Sequence, residues 1–369
     1  MKHNVRLTYL KRYNYYVIIN NNTIIFAAGG TAGHVFPAMC VARELKKRKY
    51  NIIFATDKRG LKYLEEFKDS AIVHDVNTKS RYGLYVSLLK NIAISMWTNL
   101  KISPKIIIGF GGYPSVPITL AGQILFFKTL IHEQNAIIGK ANKLLSKFAN
   151  KVLLSFEHTR GVENTKKNIY VGLPTRFDNI SCKHRKSDEY INILVFGGSQ
   201  GSSLFANEVI QGICEFASTN KVKVFHQGRK EDIKKISRIY KEKNIEFEVK
   251  EFFDNIGELY ECSDIVISRS GASTVFEIIE FQKPSILIPY AKSINGDQLE
   301  NAKFLAQNDA AIMIEEKDIS KDEILQALKE LSFLENRNKF SCNIKKLRQK
   351  DTIKKFADIV EETLYNTKV

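Results

Sequence analysis

Cysteine is scarce and scattered in this chain of 369 residues. The five cysteines form no C-x-x-C pair; they are Cys40, Cys182, Cys214, Cys262 and Cys342. An odd number of widely spaced cysteines argues against a disulfide framework and against a zinc site. The pattern is typical of a protein that works in a reducing cytoplasm.

Long apolar runs are missing as well. No stretch approaches the roughly 18 uninterrupted apolar residues of a membrane-spanning helix, so we expect no membrane span. The apolar segment 15–19 is too short for the core of a signal peptide, and no small-residue cleavage site follows it. We interpret residues 1–22 as an N-terminal extension of uncertain order.

Acidic residues are in short supply in one half of the chain. Residues 1–170 hold 26 Lys and Arg against 9 Asp and Glu, whereas the remainder holds 30 against 31. The net charge of +16 therefore arises in the first half. We expect this half to meet an anionic partner: nucleic acid, an anionic lipid surface or a phosphorylated substrate.

Two ligand-binding motifs are absent. No Asp-x-Asp sequence occurs, which argues against a metal clamp on a diphosphate, and we predict neither a metal nor a cofactor. The glycine-rich segments also lack the G-x-G-x-x-G spacing of dinucleotide enzymes, which disfavours a dehydrogenase. With 44% hydrophobic and 26% charged residues, the composition is that of a globular protein with room for two domains.

A strand, a glycine loop and a helix follow one another twice. Strand 23–28 precedes GGTAG at 29–33 and a helix predicted over 36–49; strand 191–196 precedes GGSQG at 197–201 and a helix over 203–216. This repeat predicts two similar α/β domains in tandem, with a linker near 178–190 and helices past residue 320. Further strands are predicted at 51–56, 105–109, 129–132, 151–155, 222–226, 265–268 and 285–289.

Polar and glycine-rich segments follow several of these strands, at the sheet edge where α/β proteins bind ligands. Free amide groups in the loops at 29–33 and 109–115 can hold a phosphate, although tight turns without a ligand explain them equally well. His34 follows the first loop directly and is our candidate for catalysis. The run 132–135 (HEQN) is either ligand-binding or a polar turn. In the second half, the small hydroxyl residues of 268–274 are either an anion site or helix caps.

Residues 79–105 have a different character. Tyr85, Leu89, Ile92, Met96 and Leu100 recur at helical spacing. The segment also contains Trp97 and several Lys and Arg residues, including Arg81, but no Asp or Glu. An apolar helix face rimmed by basic residues can lie among lipid headgroups, and we predict membrane contact through Arg81, Tyr85, Leu89 and Trp97. The alternative is an ordinary helix that faces the protein core.

Seven segments, in order along the chain, resemble the MurG family. They are GGTAGHVFPA (29–38), GFGGYPSVP (109–117), HEQNAIIGKAN (132–142), GLPTR (172–176), FGGSQGS (196–202), SRSGASTVFEI (268–278) and DQLENA (297–302). This family transfers N-acetylglucosamine from UDP-N-acetylglucosamine to the 4-hydroxyl of N-acetylmuramyl-pentapeptide on undecaprenyl diphosphate in peptidoglycan synthesis. The resemblance implies the same inverting reaction, lipid I to lipid II, at the cytoplasmic face of the bacterial inner membrane.

The resemblance also implies an α/β glycosyltransferase B fold, with two Rossmann-like domains and a cleft between them. We expect a membrane-facing acceptor domain over 23–176 and a UDP-sugar-binding domain over 177–350. The C-terminal helix at 351–369 is expected to pack back on the first domain. The expected partners are UDP-N-acetylglucosamine, the undecaprenyl-diphosphate-linked muramyl-pentapeptide and an anionic membrane surface, with no nucleic acid.

The same resemblance assigns residues to the site. His34 and Glu133 are the catalytic candidates, with His34 favoured as base because an ordinary histidine titrates near pH 6.5. Glu133 would orient or replace it. The acceptor-binding candidates are Gly29, Gly30, Gly111, Gly112 and Tyr113. The donor-binding candidates are Thr31, Gly33, Asn135, Arg176, Ser199, Gln200, Ser270, Gly271, Ala272, Thr274, Glu277 and Gln298.

The sequence departs from the family at a few positions, and two other functions compete. Leu173 replaces a usual asparagine, and Ala32 replaces a usual glycine, so a diphosphate that approaches the first loop closely must accommodate a methyl group. A UDP-N-acetylglucosamine epimerase shares the fold, but it would have no use for the basic, apolar segment 79–105. A nucleic-acid binder would explain the charge, but no nucleic-acid module is visible.

Overall fold

The computed structural model describes residues 6–10, 15–19, 22–73, 81–163, 165–180, 189–197 and 204–365. At 6–10, 15–19, 81–85 and 294 the description covers the backbone only. The chain divides into two compact units. The first comprises Met1–Asp178 and Asp351–Val369, and the second comprises Asn179–Lys350.

The elements of the first part of the chain are, in order, β1 (Arg6–Leu10), β2 (Tyr15–Ile19), β3 (Thr23–Ala27), α1 (Ala32–Lys47), β4 (Asn51–Thr56), α2 (Lys58–Leu61), β5 (Ala71–Val73), α3 (Arg81–Ile102), β6 (Ile106–Gly109), α4 (Val116–Ile124), β7 (Thr129–Glu133), α5 (Lys140–Ser146), β8 (Lys151–Leu154) and β9 (Asn168–Tyr170). Those that follow are β10 (Ile191–Phe196), α6 (Ile210–Phe216), β11 (Val222–Gln227), α7 (Ile233–Glu242), β12 (Glu246–Lys250), α8 (Ile256–Cys262), β13 (Ile265–Ser268), α9 (Ala272–Phe281), β14 (Ser285–Leu287), α10 (Asp297–Ala306), β15 (Ile312–Met313), α11 (Lys321–Ser332), α12 (Leu334–Leu347) and α13 (Thr352–Tyr365).

The first unit is built on a parallel sheet with helices on both faces. Among the described residues the strand order is β5-β4-β3-β6-β7-β8-β9. Successive residues of a strand face opposite sides, so Ile24 and Phe26 pack with α1 and α13, while Ile25 and Ala27 pack toward α3 and α4. Strands buried on both faces read as continuous apolar runs, which is why these segments stand out in the sequence.

The C-terminal helix α13 belongs to the first unit. Arg48 of α1 donates to Asp358 and to Glu361, at 2.6 Å each. Phe356 is fully buried and stacks on Phe110, with 5.6 Å between the ring centroids. At the far end of the helix, Lys128 donates to the last carbonyl groups of α13, a favourable position for a cation. The last helix of the chain therefore completes the core around its first sheet.

The second unit repeats this architecture. Its parallel strands follow the order β12-β11-β10-β13-β14-β15 in the part of the chain that is described. Ile193 and Val195 of the central strand β10 are fully buried and share a core with α6, α7 and α11. The two parallel-sheet α/β units confirm the predicted fold class.

Several local predictions differ from the structure. Helix α1 begins at Ala32 rather than at residue 36, so Pro37 lies in its second turn instead of its first. The predicted helix over 203–216 is a π-helical segment at Phe205–Val209 followed by α6. Within the segment 1–22, β1 and β2 form an antiparallel pair in which Arg6 is opposite Ile19. Residues 181–188 of the predicted linker lie outside the described residues.

Candidate functional site

Two glycine loops of the first unit pack directly against each other. A Cβ on Gly29 would lie 2.8 Å from Cβ of Pro114, and a Cβ on Gly112 would lie 2.9 Å from the carbonyl oxygen of Gly29. Gly30 and Gly111 have φ angles of +83° and +88°, which glycine adopts without strain. The loops after β3 and β6 are thus held backbone to backbone, as their places at one sheet edge predict.

His34 lies beside both loops, in the first turn of α1. Its Nδ1 atom is 3.0 Å from the hydroxyl of Thr31, which leaves Nε2 for another partner. Cδ2 of the ring is 3.2 Å from the position of a Cβ on Gly111. Burial lowers the pKa of His34 to about 4, against the opposing charge of Asp57. The imidazole is therefore neutral at physiological pH and can accept a proton.

The first turn of α1 offers unpaired N–H groups beside His34. No side chain caps this end of the helix, and the first turn contains no acidic residue. The candidates Thr31 and Gly33 lie here, together with Ala32. Because Ala32 is helical, its methyl group causes no backbone strain, and the departure from the family glycine is accommodated.

Asp57 and Arg59 were not found by the sequence analysis. Asp57 follows β4 and accepts hydrogen bonds from the N–H groups of Gly30 and Gly60, at 2.9 Å each, and from Nε of Arg59 at 3.0 Å. Burial alone would raise the pKa of Asp57, but these donors outweigh it and lower the pKa. One signal in the sequence could have identified Asp57: it directly follows a buried strand, at the same sheet edge as the glycine loops.

Glu133 is buried at the end of β7 and is 1% exposed. Its carboxylate accepts hydrogen bonds from the N–H groups of Asn135 and Gly139 at 3.0 Å and from the side chain of Asn142 at 2.9 Å. Burial raises the pKa of Glu133, and these donors oppose the shift. The geometry is that of a group that holds the 134–142 loop in place.

His132, the residue before Glu133, is buried behind the site. Its ring lies 3.1 Å from the hydroxyl of Ser155 and 3.1 Å from the amide of Gln134. Phe110 and Phe356 pack edge-on against it. Burial lowers the pKa of His132 to about 3, so a neutral ring fills this position.

In the second unit, the candidate donor residues surround the start of α9. Gly271 precedes the helix without a side-chain cap, and no acidic residue occupies the first turn. The Ser270 hydroxyl donates to the carbonyl oxygen of Gln298 at 2.7 Å, and Oε1 of Gln298 accepts the N–H of Tyr290 at 3.0 Å. The structure therefore brings the loops before α9 and α10 together.

Further along α9, Glu277 is oriented by a buried tyrosine. The hydroxyl of Tyr260, which is fully buried, donates to the Glu277 carboxylate at 3.2 Å. Glu277 itself is half-buried, as is Thr274 one turn before it, while Ala272 is buried. The helix thus presents unpaired N–H groups at its start and a carboxylate about one and a half turns later.

Arg269 is a third residue that the sequence analysis missed. It is 5% exposed and lies between the rings of Phe205 and Tyr290, 5.3 Å from each ring centroid. Its guanidinium forms an ion pair with Glu316 at 2.5 Å. Arg269 therefore links the loop before α9 to the loop after β14, through Tyr290, and to the loop after β15, through Glu316. Its place inside the SRSG segment was the available signal.

The remaining candidates fall in different places. Arg176, which stacks on Phe177 at 4.8 Å, and Asn135 belong to the first unit. Tyr113 is 44% exposed beside the second glycine loop. Ser199 and Gln200 lie outside the described residues, as do the side chains of Arg81 and Tyr85. Within the described part of the chain, no group of three His, Cys, Asp or Glu residues could hold a metal.

Helix α3 is inverted relative to an ordinary surface helix. Its buried residues are mostly polar, namely Asn91, Ser95, Thr98 and Asn99, and Ile102 is buried at its last position. Its outer face is apolar: the exposed fractions of Leu89, Leu100 and Trp97 are 69%, 63% and 44%. Among the described residues, no helix is both long enough and apolar enough to cross a membrane.

Comparison with known proteins places this geometry in a family. Residues 24–154 match the glycosyltransferase family 28 N-terminal domain, and residues 192–362 match its C-terminal domain. UDP-N-acetylglucosamine–N-acetylmuramyl-(pentapeptide) pyrophosphoryl-undecaprenol N-acetylglucosamine transferases are similar over nearly the whole chain. The protein of this name from Rickettsia bellii is 33% identical, covering 92% of this chain and 99% of its own. That from Rickettsia canadensis is 34% identical, with the same coverage.

Solved structures show the same fold. MurG from Acinetobacter baumannii superposes with a TM-score of 0.81 at 24% identity, covering 92% of this chain and 99% of its own. A Listeria monocytogenes protein described as a UDP-N-acetylglucosamine 2-epimerase has a TM-score of 0.69 at 11% identity, covering 94% and 97%. The fold alone does not separate the two activities, but the sequence relatives do. The chain belongs to glycosyltransferase family 28 and, within it, to the MurG family.

Proposed function

We propose that this protein transfers N-acetylglucosamine from UDP-N-acetylglucosamine to the 4-hydroxyl of N-acetylmuramyl-pentapeptide on undecaprenyl diphosphate, with inversion at the anomeric carbon. The observation that carries the proposal is the similarity to transferases of this name over 92% of the chain. The epimerase alternative is not favoured, because its likeness at 11% identity extends only to the fold.

The first unit takes the lipid-linked acceptor. Its two glycine loops, with Gly29, Gly30, Gly111 and Gly112, present backbone to a ligand at one sheet edge. Tyr113 is exposed beside them and can pack against the acceptor sugar. The uncapped first turn of α1 favours a negative charge nearby, which suits the acceptor diphosphate.

His34 acts as the general base. In the tautomer that the reaction needs, Nδ1–H donates to the Thr31 hydroxyl and Nε2 takes the proton of the acceptor hydroxyl. The acceptor oxygen then bonds to the anomeric carbon while the bond from that carbon to UDP breaks. Glu133 serves as a positioning residue, since its carboxylate is already engaged by Asn135, Gly139 and Asn142.

The second unit takes UDP-N-acetylglucosamine. The start of α9 stabilises the diphosphate, both in the bound donor and as the leaving group. Glu277 accepts hydrogen bonds from the ribose, in the orientation that Tyr260 gives it. Ser270 and Gln298 hold the loops around the nucleotide. The family resemblance adds Thr31, Gly33, Asn135 and Arg176 to the donor-binding candidates, and all four lie in the first unit.

A membrane surface is the third partner, and nucleic acid is not one. Residues 81–150 contain eight Lys and Arg but a single acidic residue, Glu133, which is buried. In the same region Leu89, Phe126 and Phe148 are 69%, 96% and 66% exposed. Exposed apolar and basic side chains together suit a peripheral contact with anionic headgroups at the cytoplasmic face of the inner membrane.

One assay separates the transferase from the epimerase. The purified protein is incubated with UDP-N-acetylglucosamine labelled in the sugar, with and without the lipid-linked muramyl-pentapeptide. We expect a labelled lipid disaccharide that requires the acceptor. Formation of the 2-epimer of the nucleotide sugar without any acceptor would overturn the proposal.

A further inference from the structure

Arg59 lies over the first glycine loop with most of its hydrogen-bonding capacity unused. Its side chain is 67% exposed, and Nη2 is 3.5 Å from the position of a Cβ on Gly30. A guanidinium group carries five N–H donors. The contact with Asp57 uses the donor on Nε, and the two Nη groups have no hydrogen-bond partner among the described residues.

The position of Arg59 is fixed by the loop that it covers. Asp57 accepts the N–H of Gly30 with Oδ1 and binds Arg59 with Oδ2, so one carboxylate ties the loop and the guanidinium together. Gly60 fits closely beneath, because a Cβ there would be 3.1 Å from Cα of Gly29. Arg59 is therefore held beside the loop although most of its side chain is in solvent.

The surroundings of the guanidinium suit an anion with several oxygen atoms. The loop beneath it leads directly into the uncapped first turn of α1, which has no acidic side chain. The unused Nη groups form a planar fork that matches phosphate oxygens in a bidentate way. The fork thus lies over Gly30, two residues before the uncapped first turn of α1 begins at Ala32.

We propose that Arg59 is a further acceptor-binding residue, whose Nη groups bind the diphosphate of the lipid-linked acceptor. The inference rests on the proposed function, since it assumes that the first unit takes this acceptor. Arg59 holds the diphosphate while His34, four residues after Gly30, meets the sugar hydroxyl. Selection for an acceptor with a diphosphate, rather than a neutral glycoside, follows from this contact.

The test compares two acceptors in the full-length protein. One is a muramyl-pentapeptide diphosphate with a short prenyl chain, and the other has a neutral linker in place of the diphosphate. Arg59→Gln should raise the KM of the diphosphate acceptor about 10- to 100-fold, the usual result of losing hydrogen bonds to a charged group. The kcat, the donor KM and the KM of the neutral acceptor should stay within about twofold.

Lys58→Gln is the matched control, because it removes the same charge from the adjacent exposed residue. It should leave the KM of both acceptors unchanged. An equal effect of Arg59→Gln on both acceptors, or no effect on either, would overturn the inference. If the wild-type protein transfers no sugar, the proposed function fails. In that case, calorimetric titration of the diphosphate acceptor into both proteins still tests the role of Arg59. An unchanged Kd in Arg59→Gln refutes this role.

Discussion

The two units of this protein share a strand order but differ in net charge. In each parallel sheet, the first strand along the chain lies in the interior, with the second and third strands on one side and the fourth on the other. Yet the first unit contains 30 Lys and Arg against 14 Asp and Glu, whereas the second contains 26 of each. The entire net charge of +16 therefore belongs to the first unit.

The shared fold determines where the ligand loops lie, whereas the surface residues determine how the two units differ. Candidate ligand loops follow corresponding strands, at β3, β6 and β7 in the first unit and at β13 and β14 in the second. The shared topology places them at the carboxyl edge of each sheet. The outer helices are free to differ: among the described residues, the exposed apolar face of α3 lies on the first unit, which also carries the net positive charge.

The sites also differ in their chemistry. The first unit places four titratable side chains near its ligand loops: His34, Asp57, His132 and Glu133. Asp57 accepts the N–H of Gly30, Glu133 accepts the N–H of Gly139, and Nδ1 of His34 lies beside the hydroxyl of Thr31. The second offers an uncapped helix start and one oriented carboxylate. The first arrangement suits proton transfer, and the second suits binding of a diphosphate and a ribose.

The largest expected effect concerns the base in the first unit. His34→Ala should lower kcat by about 10²- to 10⁴-fold, as loss of a general base does, with the donor KM nearly unchanged. Steady-state kinetics with both substrates would check this. If His34→Ala keeps most of its kcat and Glu133→Ala loses it instead, Glu133 is the base and His34 is the positioning residue.

The pH dependence of the wild-type protein sharpens the same point. Protonated His34 cannot accept a proton, so kcat/KM should fall as the pH drops through the pKa of about 4. The sequence alone predicts this fall near pH 6.5. A profile measured between pH 3.5 and 8 distinguishes the two values, and a midpoint at 6.5 would show that the buried environment does not act on the base.

The next largest effect concerns the second unit. Glu277→Ala should raise the donor KM about 10- to 100-fold, because a hydrogen-bonded charged group contributes roughly 1.5–3 kcal/mol. Tyr260→Phe removes only the group that orients Glu277 and should raise the donor KM a few-fold, at about 1 kcal/mol. Acceptor KM values should not move. If Tyr260→Phe exceeds Glu277→Ala, the ribose assignment is wrong.

A smaller effect tests the surface difference directly. Leu89→Asp with Trp97→Asp should weaken binding to anionic vesicles about tenfold or more, since exposed apolar area is lost and negative charge is added. Phe333→Asp with Leu334→Asp is the control, because these residues are 64% and 55% exposed on the second unit. Co-sedimentation with vesicles and with duplex DNA gives the readout. Equal loss in both variants, or retention on DNA alone, would contradict membrane contact by α3.

The smallest effect concerns stability. Burial lowers the pKa of His132 and of His226 to about 3, so below pH 6.5 the unfolded chain binds protons that the folded chain excludes. The free energy of unfolding should therefore be highest above pH 6.5 and should fall as the pH is lowered toward 3. His226→Gln should make this decline shallower in urea titrations at pH 7.5 and 5. An unchanged slope would exclude His226 as a contributor.

The sequence predicted the strands well because buried parallel strands are apolar throughout. Strands 51–56 and 265–268 have the predicted bounds. The start of α1 at Ala32 was missed, because the glycines and alanine of 29–33 are typical of a loop and only tertiary contacts make residues 32 and 33 helical. For α3 the sequence predicted an outward apolar face with a core-facing helix as the alternative, because side chains that recur at helical spacing do not reveal which face meets α4.

The sequence identified the motifs of the candidate site but not the residues that hold those motifs in place. The segments around His34, Glu133 and Glu277 stand out because glycines and polar runs follow strands. Asp57 and Arg59 lie in an unremarkable charged stretch, and only the fold brings them to Gly30. The burial of Glu133 likewise depends on the loop that folds over it. Long-range contacts of this kind leave little local signal.

Binding of UDP alone tests the division between the two units most directly. Calorimetric titration of UDP into the wild-type protein, His34→Ala and Glu277→Ala removes the acceptor and the sugar from the measurement. We predict an unchanged Kd for His34→Ala and a Kd raised about 10- to 100-fold for Glu277→Ala. A Kd raised by His34→Ala, with Glu277→Ala unaffected, would place the nucleotide in the first unit and contradict this division of roles.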